Sequence, residues 1–154
     1  MSRVLRRIVL PSIVAAALAV VAPLWGAQSA APLIVENAWI RKPPPGLDSA
    51  ALYFTVKNPA KDRDLAIVGA TSTRAANAMI HESSTVDGQS RMRMKSTVKI
   101  PRGQSVVFGP EGLHVMLTGL TKALELGERV PVTLELDHGG SIDFVATVRP
   151  LDSK

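Results

Sequence analysis

The sequence predicts an all-β protein, a Greek-key β-sandwich or barrel of about nine short strands. Two observations carry this expectation. Short runs of β-branched and aromatic residues recur along the chain, separated by clusters of Gly, Pro, Asn and Asp, a spacing typical of such folds. No long segment with the 3.6-residue period of an amphipathic helix competes with them.

The first thirty residues stand apart from that pattern. Arg3, Arg6 and Arg7 precede an apolar run from Ile8 to Trp25, and small residues cluster at 26–31. This is the layout of a secretory signal peptide. Cleavage after Ser29 and cleavage after Ala31 satisfy the small-x-small rule equally, so residues 1–31 are read as the leader and 32–154 as one domain. The competing reading is a retained membrane anchor, because the apolar run is near the lower limit for spanning a bilayer. Pro11 and the small-residue cluster favour cleavage.

Composition narrows the function. The chain has no cysteine, so an exported domain of this sequence is spared disulfide formation and thiol oxidation, and lacks the usual residue for lipid attachment. The mature protein is therefore expected to be soluble and monomeric. The formal charge is +5, and removing the three leader arginines leaves +2, too little for nucleic-acid binding.

The expected strands, in order, span 34–41, 50–57, 64–71, 77–83, 91–99, 105–108, 114–117, 130–137 and 142–149. Lys42-Pro43-Pro44-Pro45-Gly46 cannot pair in a sheet, because proline has no N–H, and reads as a rigid connector. Asp87-Gly88 and Gly139-Gly140 are hairpin turns. Pro101-Arg102-Gly103 and Gly109-Pro110-Glu111-Gly112 bracket the 105–108 strand. Only 122–126 could form a helical turn. Arg91, Arg93 and Lys95 alternate with Met92 and Met94 and read as the solvated face of one strand.

The chemistry lies between His81 and Met116, which hold two of the three histidines and three of the five methionines. His114 and Met116, two apart on a strand, project to one face and could chelate a single ion. If Asp87-Gly88 closes a two-residue hairpin, Met92 lies opposite Ser83 and Met94 opposite His81. All four then share a face. A direct pair stands roughly 5 Å apart between Cβ atoms and a diagonal one roughly 7–8 Å. Hairpin geometry alone favours Met94 beside His81, while a bulge or longer loop would alter the register. Met79 reads as a core residue and His138 as an exposed turn histidine. Neutral imidazoles and thioethers suit Cu(I) far better than oxygen-seeking Ca²⁺, Mg²⁺ or Mn²⁺.

Ten residues separate His81 from Met92, twenty-one separate Met92 from His114, and one separates His114 from Met116. This pattern, His-x10-Met-x21-His-x-Met, resembles the signature of the periplasmic PCu(A)C copper chaperones. The resemblance extends to Ala38-Trp39-Ile40-Arg41 with Pro44-Pro45-Gly46, to Ala51-Leu52-Tyr53-Phe54 ending at Asn58, and to 112–117 with Gly119-Leu120. It implies the cupredoxin-like form of the fold and a loop at 122–126. It also implies a Cu(I) site of His81, Met92, His114 and Met116, with Met94 a spare or packing residue. By the same resemblance the protein is a periplasmic, non-enzymatic metallochaperone that loads copper into respiratory haem-copper oxidases. Its partners would be a copper-accepting oxidase subunit and a Sco-type thiol protein. The His/Met-rich tail of some relatives is missing.

Other functions fare worse. A blue-copper electron carrier needs a cysteine thiolate. A copper oxidase would need an open coordination position and a nearby acid or base. The alternative from a different class is a metal-free periplasmic β-sandwich for adhesion or assembly, whose histidines and methionines only pack.

Overall fold

A computed structural model describes residues 33–150 and residue 152 of the protein. The expected leader, 1–31, lies outside the described residues. Ten strands follow one another: β1 Ile34–Arg41, β2 Ser49–Lys57, β3 Leu65–Thr71, β4 Ala75–Val86, β5 Gln89–Met94, β6 Val98–Ile100, β7 Ser105–Phe108, β8 Leu113–Leu120, β9 Arg129–Leu136 and β10 Ser141–Arg149. Seven of them, in the order β4-β8-β2-β1-β10-β9-β3, form a barrel that closes where Ala70 of β3 meets Ala78 of β4. All these pairings are antiparallel except β1 with β10. β5 extends the sheet beyond β4, β6 lies against β3, and β7 joins the second half of β2.

Period-two patterning fills the barrel. In β9, Val130, Val132, Leu134 and Leu136 are buried while Arg129, Pro131 and Glu135 face water. Leu52, Ile67, Ile100, Val115 and Leu117 meet them in the interior, where Phe54 and Phe108 stack at 4.3 Å between centroids. The segment 122–126 forms no helix and instead inserts Leu124 into this core. Asn58 is fully buried, and its side chain bonds to the Arg63 and Ile100 carbonyls and the Ala60 amide, so its desolvation is offset.

The expected strand 91–99 is two strands. Strict alternation from Met92 would put Met92, Met94, Val98 and Ile100 on one face. The core takes Val98 and Ile100, whereas Met92 and Met94 are 53% and 69% exposed. The chain therefore leaves β4 after Lys95, resets its alternation through 95–97, and rejoins the barrel against β3. A bulge does the same in β1. Asn37 has φ +55°, and the register with β2 slips between Glu36 and Trp39. Before it Leu33 and Val35 turn toward the core; after it Ala38 and Ile40 do, which puts Trp39 and Arg41 on the outside.

Candidate metal centre

The hairpin that carries the site is a two-residue turn with positive φ at both Asp87 (52°) and Gly88 (76°), the geometry that suits strongly twisted strands. Its register sets His81 opposite Met94 and Ser83 opposite Met92. On the other side of β4, His81 faces His114 and Met79 faces Met116 of β8. Cross-strand partners share a face, so all of these side chains lie on the outer surface of the barrel, opposite to Ile80 and Val115, which are core.

Three rows result. Met94, His81 and His114 form the central one, Met79 and Met116 the row toward the barrel, and Ser83 and Met92 the row toward the hairpin tip. Successive rows are about 6.7 Å apart along the strand. The Lys95 amide donates to the Ile80 carbonyl, so the alternating ladder makes His81–Met94 a non-hydrogen-bonded pair, the kind with closer side chains. The structure thus brings His81, His114 and Met94 into direct neighbourhood, with Met116 on the diagonal from His81. Met92 is one row farther out on the same face. Met79 is a half-buried neighbour of Met116 on this outer face, not the core residue expected, because Ala78 and Ile80 take the inward positions. His138 is an exposed turn residue beside Asp137.

The histidine rings stand 5.9 Å apart and nearly perpendicular, at 87°. His114 is only 3% exposed, and its Nδ1 lies 3.0 Å from the Gly112 carbonyl. A carbonyl can only accept, so Nδ1 is the donor, and Nε2 is the nitrogen that the neutral ring offers to a metal, the usual arrangement of a metal-ligating imidazole. His81 Nδ1 is buried with no protein partner. Burial, and secondarily the nearby His114, hold the His81 pKa below its ordinary value and keep the ring neutral. A soft cation would satisfy that unpaired nitrogen. Among the described residues no three His, Cys, Asp or Glu side chains cluster, and the soft donors on the same face as the two histidines are the methionine sulfurs.

Residues without an assigned role in the sequence close the site. Tyr53 covers His114 at 6.4 Å between ring centroids, Trp39 packs on Tyr53 at 4.7 Å, and Arg41 lies over both rings. Burial raises the Tyr53 pKa, an effect opposed by Arg41. The Pro-rich loop folds over Met116, forming a cleft of about 140 Å³ with Arg41, Pro43, Pro44, Leu47 and Ala51. Their signal in the sequence is adjacency: Trp39-Ile40-Arg41 and Tyr53 lie in the segments on which the resemblance in sequence rests. Their convergence on His114 required the β1 bulge and the β2–β8 pairing.

Fold and site define a small β-barrel domain bearing an outward-facing pair of histidines flanked by methionines. Residues 33–148 match the family described as "Putative lipoprotein LpqE-like", and the chain belongs to that family. It is 34% identical over 116 residues to "Putative lipoprotein Lxx21020" of Leifsonia xyli subsp. xyli, across 75% of this chain and 68% of that protein. Among solved structures, the copper-bound PCuAC domain from PmoF2 superposes with a TM-score of 0.65 at 24% identity, covering 79% of this chain and 96% of that one. The Cu(I) form of DR1885 from Deinococcus radiodurans gives 0.63 at 29% identity, covering 80% and 83%. Its apo form gives 0.61 at 27%, covering 97% of each chain. The fold expected from the sequence is the fold of these PCuAC domains.

Proposed function

We propose that this protein is an exported copper chaperone that holds one Cu(I) at His81, His114, Met116 and a β5 methionine, Met92 by family spacing. The observation that carries this reading is the direct pairing of His81 with His114 on a face otherwise lined by thioethers. The likeness of this chain to the Cu(I) form of DR1885, at 29% identity, supports it. Two neutral imidazoles and two neutral thioethers leave the ion's positive charge uncompensated, which favours Cu(I) over Cu(II). Methionine needs no deprotonation, so only the histidines compete with protons. One face of the site is open to water at Met92 and Met94, where an acceptor's ligand can enter before one of the protein's leaves.

In this reading the protein is a carrier, not an enzyme, and works in the periplasm after removal of its leader. The recipient is a copper-accepting oxidase subunit, and a Sco-type thiol protein is a further partner in the same assembly. Competition titration with a Cu(I) chelator tests the reading: one equivalent binds, X-ray absorption shows sulfur and nitrogen neighbours, and His114→Ala abolishes high affinity. Nitrogen and oxygen neighbours only, or unchanged binding by His114→Ala, would reject this ligand set, and absence of stoichiometric copper binding would return the protein to the metal-free adhesion reading.

A further inference from the structure

β5 ends the sheet path and is exposed along all six of its residues, directly beside the histidine row. Its hydrogen-bonding groups divide cleanly. The Lys95 amide bonds to the Ile80 carbonyl, so by strand alternation the backbone groups of Gln89, Arg91 and Arg93 also point at β4. Those of Ser90, Met92 and Met94 point away from the sheet, toward an edge no described strand occupies. An edge of this length is a template for another strand.

The side chains state what that strand must look like. On the metal face β5 presents Met92 and Met94. On the opposite face it presents Arg91 and Arg93, neither of which has an acidic partner within ion-pair distance among the described residues; Glu82, across from Arg93, is held by Lys95 at 3.3 Å. We infer that β5 docks an extended acidic segment of the copper acceptor by strand addition, with residues alternating between carboxylates that meet Arg91 and Arg93 and soft donors that face Met92 and Met94. A donor opposite Met94 would extend the row Met94–His81–His114 by one strand. A second copy of this chain fits poorly, since β5 against β5 sets arginines near arginines.

The partner's chemistry rests on the copper reading, but the docking can be tested without metal. Backbone hydrogen exchange is followed by NMR on the metal-free full chain with a short capped peptide of alternating Glu and Met. Exchange at Ser90, Met92 and Met94 should slow by about tenfold or more, while Arg91 and Arg93, already bonded to β4, change little. A peptide of the same composition with its Glu and Met residues in separate blocks, or one of alternating Lys and Met, should give no protection. Charge reversal in Arg91→Glu/Arg93→Glu should exchange the preference for Glu for one for Lys. An alternating Glu and Leu peptide should bind the metal-free protein equally well and lose to Glu and Met once copper is loaded. Protection that appears without peptide as protein concentration rises would assign the edge to self-association and overturn the proposal. So would protection elsewhere, or none. If the protein binds no copper, peptide protection of β5 still stands or falls independently.

Discussion

His81 and His114 are direct partners across β4 and β8, though thirty-two residues lie between them, and their rings meet edge to face. This pairing turns two isolated residues into the core of a site, and the methionine that joins them is the first thing to test. Replacing Met92 or Met94 by Leu keeps volume and apolarity and should cost less than about 1.5 kcal/mol of stability. If Met92 is the ligand, Met92→Leu weakens Cu(I) binding well beyond that loss and Met94→Leu leaves it nearly unchanged. The observed register, with His81 facing Met94, argues for the reverse outcome. Small losses in each single variant and a large one in the double would show that the two sulfurs substitute for each other.

Copper should stabilise the fold by mass action. At free Cu(I) a thousandfold above the dissociation constant, the folded state gains about 4 kcal/mol. His81→Ala/His114→Ala should remove this gain, checked by denaturant melts with and without Cu(I). A full gain in the double variant would place the ion elsewhere.

Gly119 sits in β8 with φ +65°, and a Cβ there would lie 2.8 Å from the Cβ of Ala76 on β4. Gly119→Ala therefore incurs both backbone strain and overlap at the β4–β8 seam. We expect a loss of about 1–3 kcal/mol. A melting temperature within experimental error of the wild type would refute this.

Glu128 ties the 121–128 loop to the β3–β4 turn. Its carboxylate accepts from the Glu125 amide at 3.0 Å and from Arg74 Nε at 2.9 Å, and these bonds hold its pKa below the ordinary carboxylate value. The depressed folded-state pKa means this stabilisation is complete above the unfolded-state pKa and disappears as pH falls through the folded-state one. Glu128→Gln should thus cost about 1–3 kcal/mol near neutrality. The gap to wild type should close in strong acid, measured by urea melts across pH. A gap independent of pH would show that the charge is irrelevant.

The hairpin was legible because its cause is local. Asp87-Gly88 allows a tight turn with both central φ angles positive, so the pairing of Ser83 with Met92 and His81 with Met94 could be counted from the numbering alone. The break at 95–97 was not. Nothing in Arg91 to Lys99 marks a turn; the strand splits because the core demands Val98 and Ile100 on a face that continuous pairing would deny them. The outward position of Met79 is hidden for a related reason, since spacing gives a shared face but not which face is inward.

By itself the sequence determined the strands, through period-two patterning and turn residues, and the kind of ligands present, through residue type and spacing. Both depend on neighbours within a few positions. Only tertiary structure decided that β4 lies between β5 and β8, that a bulge at Asn37 turns Trp39 and Arg41 outward, and that Tyr53 seals His114 while Met92 and Met94 stay open to water. Those outcomes follow from closing one barrel around one core, a constraint imposed by residues far apart in the chain.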